Sequence, residues 1–131
     1  MKTTLVDKVF LFLLGIEHVG FGLLGLITPL TAAGFVGFGL NELSAYSEVR
    51  SHYSLFLIMG VMAFVSILRF EWLRLTYVTY VIVFGSFLIG RFFSIFADEV
   101  PGSMLWNIIF AELAVVLISV WRLRVPANQQ P

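Results

Sequence analysis

The sequence predicts an all-α integral membrane protein, a four-helix transmembrane bundle with both termini on the cytoplasmic side. Three observations lead to this fold class. Of the 131 residues, 60% are hydrophobic and only 12% are charged, whereas soluble domains carry about 25% charged residues. Four apolar segments approach the roughly 20 residues that a membrane helix needs. Most of the Lys and Arg residues collect on one side of these segments, as the positive-inside rule leads us to expect.

The four spans belong to one predicted domain, residues 1–131, and they cover about residues 9–27, 51–68, 75–93 and 104–121. Thr28-Pro29 ends the first span, and the stretches "RFEWLR" and "ADEVPGS" form the last two turns. An even number of spans puts six basic residues on one side, which we interpret as cytoplasmic. These are Lys2, Lys8, Arg69, Arg74, Arg122 and Arg124.

A longer loop, residues 29–49, joins the first two spans. Its Gly-rich start, "LTAAGFVGFGL", is apolar but too short to cross a membrane. It either lies flat in the interface or dips back into the bundle. Asn41, Ser44 or Ser47 would cap the helix that follows.

Composition excludes several kinds of chemistry. The chain has no cysteine, which rules out disulfides, thiolate catalysis and iron–sulfur clusters. The formal net charge is zero, so nothing indicates nucleic acid as a partner. The two histidines, His18 and His52, lie at different predicted depths, so we predict no metal site.

Several ionisable residues fall inside the predicted spans, where a charge costs about 2.5–3.5 kcal/mol near the bilayer centre. Glu17, His18 and Glu112 lie near mid-span and are the candidate catalytic residues. Five candidate ligand-binding residues lie toward the outer edge: Arg91, Arg50, Asp98, Glu48 and His52. Counting residues along the helices predicts that Arg91 lies about 8–12 Å above the two glutamates. Water or the polar head group of a ligand would fill this gap.

Helical phase predicts which faces pack together. On the first helix Gly15, His18, Gly22 and Gly25 share one stripe, where glycine permits close approach of another helix. Glu17 lies about 100° away, so we expect Glu17 to reach the polar interior and His18 to sit in a helix contact. Two further small-residue stripes are predicted as close contacts, Ser86/Gly90/Ser94 on the third helix and Asn107/Ala111/Ala114 on the fourth.

Three stretches, "SEVRSHYSLFLIMGVM", "GRFFSIFADEVPG" and "AELAVVLI", resemble in order and spacing a family of small bacterial membrane proteins of unknown function within the DoxX-like group. The resemblance covers about Gly22 to Leu123. It implies a four-helix membrane bundle in the bacterial inner membrane. It also implies links to quinone-coupled sulfur oxidation, to membrane oxidoreductase complexes or to sterol handling by buried acids. The implied motif positions are Glu48, Arg50, Arg91, Asp98 and Glu112. The chain departs from the family's usual paired glycines in the second helix, where it has "SHYSLF", and from its Asp-Gly in the third loop.

Three hypotheses for function remain open at this point. In the first, the bundle binds an amphipathic small molecule such as a quinone or an isoprenoid-type lipid, with Arg91 and Arg50 on its head group and Glu17 and Glu112 handling protons. In the second, it is a non-catalytic accessory subunit that docks onto a membrane oxidoreductase complex through its glycine stripes. The candidate protein partners are therefore a membrane protein or a second copy in a homo-oligomer. In the third, it is an isomerase or cyclase with Glu17 or His18 as acid or base. A proton or ion pathway is a fourth and weaker hypothesis, because the inner halves of the spans hold few polar residues.

Overall fold

The computed structural model describes residues 3–37, 39–98 and 102–125, and this part of the chain is helical with no strand. The helices are α1 (Leu5–Ile27), α2 (Pro29–Phe35), α3 (Leu43–Leu68), α4 (Leu73–Ala97) and α5 (Ser103–Arg124), with a 3₁₀ turn at Phe70–Trp72 before α4. Four of them are long and apolar enough to cross a membrane. The predicted all-α membrane fold is confirmed.

The long helices extend beyond the predicted spans. α3 begins at Leu43 and not near residue 51, and α4 ends at Ala97 and not at residue 93. Hydropathy marks only the apolar core of a membrane helix, whereas backbone hydrogen bonding continues through polar turns at its ends. At the start of α1 a capping box fixes the boundary: the backbone N–H of Thr4 donates to Oδ2 of Asp7 over 2.7 Å, and the Asp7 N–H donates to Oγ1 of Thr4 over 3.3 Å.

The predicted loop at residues 29–49 contains the short helix α2, which starts at Pro29 because proline suits the first turn of a helix. The hydroxyl of Tyr53 in α3 donates to the carbonyl of Ala32 over 3.1 Å. Around this bond a small core forms from Ala32, Ala33, Leu40, Val49 and Tyr53. The predicted caps for the next helix are wrong, since Glu42 is the N-cap of α3 and makes no side-chain capping bond.

The chain divides into two compact units, Lys2–Leu73 and Arg74–Pro131. We call them the first and second units and describe each by itself. The first contains α1, α2 and α3, and the second contains α4 from Arg74 onward and α5. The single domain inferred from the sequence stays a prediction.

In the first unit, α1 and α3 pack against each other at glycines, as the sequence predicted. A Cβ on Gly22 would lie 2.6 Å from the backbone nitrogen of Leu57, and one on Gly60 would lie 2.7 Å from the backbone nitrogen of Val19. At Gly15 and Gly25, rings of facing aromatic residues of α3 occupy the space that a Cβ would need. The two backbones therefore approach more closely than any side chain at these positions would allow.

In the second unit the predicted small-residue contacts are wrong. Ser86, Gly90 and Ser94 are exposed, and so are Asn107, Ala111 and Ala114. Other side chains at helical spacing, most of them larger, are buried in their place: Tyr77, Tyr80, Phe84 and Leu88 on α4, and Ile109, Glu112, Val115, Ser119 and Arg122 on α5. Small residues permit close packing of membrane helices, but they do not compel it, because association in lipid depends on how well the facing side chains fit and bond.

The glycine contact between α1 and α3 makes a prediction for stability. Gly22→Ala should lower the free energy of unfolding by about 1–3 kcal/mol, because the added methyl group meets the backbone of α3 rather than a movable side chain. Gly85→Ala in α4 is the matched control, since a Cβ there meets nothing within 4 Å and alanine favours the helix. Denaturant or thermal unfolding in detergent measures both, and equal stability of the two variants would contradict the close contact.

Candidate functional site

Arg91 of α4 and Glu112 of α5 form an ion pair inside the second unit. Arg91 Nε donates to Glu112 Oε2 over 2.8 Å, and Arg91 Nη2 donates to Glu112 Oε1 over 2.8 Å. These two parallel bonds form the bidentate arrangement in which the guanidinium fork matches both carboxylate oxygens. The Glu112 side chain is 6% exposed and the Arg91 side chain 27% exposed.

The predicted gap of 8–12 Å between Arg91 and Glu112 is therefore wrong. Arg91 lies six residues before the end of α4, and Glu112 lies nine residues after the start of α5. The difference of three residues corresponds to about 4.5 Å along the helices, which an arginine side chain spans. The prediction ended the third helix four residues too early, and that placed Arg91 about 6 Å too close to the membrane edge.

The nearest buried neighbours of the ion pair on both helices are apolar. Leu88 and Phe84 continue the buried stripe of α4 away from Arg91, while Ile109 and Val115 flank Glu112 on α5. A carboxylate in such surroundings is stable only when it is neutralised and hydrogen-bonded, and the guanidinium does both. Because the pair carries no net charge, it leaves the buried face polar but neutral.

His18 lies in the α1–α3 contact, as predicted. It is 3% exposed, and its ring meets that of Phe56 edge to face at a centroid distance of 5.4 Å. Nδ1 lies 2.8 Å from the carbonyl oxygen of Leu14. A carbonyl oxygen can only accept, so Nδ1 carries the proton and donates. This bond holds the ring to its own helix.

Glu17 occupies a different environment from its neighbour. Its side chain is 54% exposed, and its carboxylate Oε2 lies 3.6 Å from Nδ1 of His18. That separation is too long for a hydrogen bond, and the Nδ1 proton is already directed to Leu14. Glu17 and His18 thus differ in burial and bonding, which agrees with their predicted separation on the helix. The prediction that Glu17 reaches a polar interior is wrong, because more than half of its side chain is exposed.

The remaining predicted ligand-binding residues are exposed. Arg50 donates from Nε to the carbonyl of Leu26 over 3.2 Å, so it satisfies one of the free carbonyls at the end of α1. Glu48 lies exposed on α3, and Asp98 lies exposed just after α4. His52 is exposed, and its ring contacts the rings of Tyr53 and Phe56 at centroid distances of 6.0 and 5.4 Å.

Several buried polar residues were not identified from the sequence. Asp7 is fully buried, and Arg122, which the sequence predicted to be one of the cytoplasmic basic residues, is 3% exposed. Ser66, Thr76 and Ser119 are buried as well. Ser66, Thr76 and Ser119 lie in the predicted inner halves of their spans, so the expectation of few polar residues there is wrong. The sequence spacing could have predicted the burial of two of these residues. Ser119 and Arg122 continue the buried stripe of Ile109, Glu112 and Val115 at intervals of three and four residues.

No group of three or more His, Asp or Glu side chains suited to a metal ion occurs among the residues that the structure describes. The arrangement offers hydrogen bonding and a neutral ion pair. It does not resemble a nucleophile with an adjacent base.

The bidentate pair makes a prediction for a double-mutant cycle. Arg91→Met or Glu112→Leu alone should lower the free energy of unfolding by about 3–5 kcal/mol, because each leaves the other charge buried without its partner. The double variant should be close to wild type, since apolar side chains of similar size then fill the space. Arg74→Met, at an exposed position on the same helix, should change the free energy by no more than about 0.5 kcal/mol. Additive single effects would contradict the pairing.

Comparison with protein families gives one match. A model described as a domain of unknown function (DUF4345) matches residues 6–123, a range that includes Glu17, His18, Arg91 and Glu112. No curated protein and no solved structure matches the chain significantly. The match supports an uncharacterised family, and the DoxX-like grouping and the bacterial inner membrane stay predictions.

Proposed function

Since the chain belongs to this family of unknown function, we propose from its own geometry that it binds a small amphipathic molecule within the membrane. The Arg91–Glu112 pair is the observation that carries the proposal. A bidentate ion pair between two apolar helices provides hydrogen-bond donors at a depth where lipid tails offer none. The ligand class we infer is a quinone or an isoprenoid-type lipid.

The charge of the pair favours a neutral ligand. Glu112 already neutralises the guanidinium of Arg91, so an anionic head group would compete with a carboxylate held by two short bonds. A neutral head group that accepts hydrogen bonds has no such competitor. Quinone carbonyls and isoprenoid alcohols both fit this description, whereas phosphate-bearing lipids fit it less well.

Arg91 has N–H donors that its pair with Glu112 does not use and that can bind such a head group. An arginine has five N–H donors, and the pair with Glu112 uses two of them, which leaves three. The Arg91 side chain is also more exposed than that of Glu112, 27% against 6%. A ligand can therefore reach the guanidinium while the carboxylate stays buried behind it. Glu112 acts in this proposal as a positioning residue for Arg91.

The other hypotheses have less support in the structure. For an acid–base enzyme, His18 would have to reach a substrate, yet its ring is buried against Phe56 and its Nδ1 proton is directed to Leu14. Arg50 bonds a backbone carbonyl, which accounts for its position without a ligand. The accessory-subunit hypothesis becomes an outcome of the experiment below.

Native mass spectrometry of the protein extracted gently from its own membranes tests the proposal. We expect wild type to carry a stoichiometric neutral amphiphile that small-molecule analysis identifies as a quinone or isoprenoid-type lipid. The double variant Arg91→Met/Glu112→Leu should lose it, because this variant keeps a packed core and removes the donors. Arg74→Met is the matched control, since it also removes one arginine from α4, and it should retain the ligand.

Two results would contradict the proposal. An amphiphile that remains bound to the double variant would not be held by Arg91. A wild-type protein that carries only bulk phospholipid, and co-purifies with a larger membrane complex in both wild type and double variant, would favour the accessory-subunit role. Binding of an added short-chain quinone, followed by fluorescence quenching of the tryptophans, gives a second measurement that does not depend on purification.

A further inference from the structure

We propose that Glu17 lies in an interface between two copies of this chain within the membrane. The surface in question consists of Leu13, Glu17 and Gly20 on α1, and we call it the Glu17 face. This inference does not depend on the Arg91–Glu112 pair or on any ligand. It rests on the burial and bonding of the first unit.

Glu17 has no hydrogen bond that would satisfy a carboxyl group in hydrocarbon. In the described part of the chain, its nearest ion-pair candidate is Nδ1 of His18 at 3.6 Å, and that nitrogen donates to the Leu14 carbonyl. More than half of the Glu17 side chain is exposed, although the residue lies at the middle of a candidate membrane span. Polar groups in hydrocarbon are rare, and they almost always pair with another polar group.

The residues around Glu17 leave room for another helix. At three of the four glycines in α1, side chains or backbone of α3 occupy the space that a Cβ would need. These glycines are Gly15, Gly22 and Gly25. The fourth, Gly20, meets nothing within 4 Å and lies three residues from Glu17, so both share a helix face. Leu13, one turn before Glu17, is 61% exposed. The Glu17 face thus combines an unsatisfied carboxyl group, an open glycine and exposed apolar surface.

A second copy is the occupant that this chemistry fits best. A carboxyl group is self-complementary, because a protonated carboxyl donates its O–H to the carboxylate opposite it. A two-fold interface brings the same residue of each copy together near its axis, so the two Glu17 side chains can share one proton. Interhelical hydrogen bonds of this kind join membrane helices, and small residues beside them permit close approach. A different membrane protein would have to supply its own donor at the same depth, which nothing in this chain requires.

The absence of cysteine from the chain allows a direct experiment in native membranes. Single variants Leu13→Cys and Gly20→Cys introduce one thiol each on the Glu17 face. Mild oxidation should give disulfide-linked dimers of the full chain for both. Phe12→Cys is the matched control: it is exposed on the same helix next to Leu13 and lies about 140° around the helix from Glu17, so it should stay monomeric under the same oxidation.

Substitutions of Glu17 then separate polar pairing from ordinary apolar packing. In the Leu13→Cys background, Glu17→Gln should keep the dimer, because amides also bond to each other across an interface. Glu17→Leu should weaken dimerisation by about 3- to 20-fold, the range expected for one interhelical hydrogen bond in a membrane. Single-molecule photobleaching in lipid bilayers at several protein-to-lipid ratios measures this change, and thermal unfolding confirms that each variant folds.

Three results would overturn the proposal. Monomers at every protein-to-lipid ratio would exclude the interface. Equal cross-linking at Phe12 and Leu13 would indicate random collision. Equal dimerisation of Glu17→Leu and Glu17→Gln would show that the carboxyl group is not part of the contact. Loss of the dimer with retention of the bound amphiphile would leave the proposed ligand site intact, so the two proposals fail independently.

Discussion

Hydrocarbon offers no water to a polar group, and this constraint shapes each unit of the protein. Every buried donor, acceptor or charge in a membrane span must find its partner inside the protein. In the first unit, Nδ1 of His18 donates to its own helix and the Tyr53 hydroxyl donates to the carbonyl of Ala32. In the second unit, Arg91 and Glu112 neutralise each other. The two units thus meet the same requirement with different chemistry.

The two units also differ in what holds their long helices together. Glycines in α1 and α3 let the backbones come into van der Waals contact, which is the means of association available where burying apolar surface gains nothing over lipid. Larger side chains fill the buried stripes of α4 and α5, and the ion pair lies among them. A bidentate pair between two buried stripes fixes the register of two helices, because sliding either one by a turn would separate the charges. The pair therefore contributes more to the choice of one helix register than to the free energy of unfolding.

This distinction bears on function. The glycine contact leaves no polar group for a ligand, whereas the ion pair leaves unused N–H donors on a partly exposed arginine. Glu17 differs from both, since it is polar, half-exposed and unsatisfied within its own unit. The two proposals therefore concern separate features of one chain. The Arg91–Glu112 pair offers neutral hydrogen-bond donors for an amphiphile, and Glu17 offers a carboxyl group for a second copy of the chain. A homodimer built around α1 would leave the Arg91–Glu112 pair unaltered, because the two features belong to different units.

Composition and hydropathy determined the class of this protein, because four apolar runs of membrane length in a chain with few charges admit little besides an all-α membrane fold. The sequence also determined the glycine contact of α1 and the separation of Glu17 from His18, since both follow from helical phase alone. Tertiary structure decided the rest of the site. Whether Arg91 meets Glu112 depends on where α4 ends, and polar turns at Asp98 hid that end from hydropathy. Whether the small residues of α4 and α5 pack depends on which faces of two helices fit each other, a comparison between helices that no single segment contains.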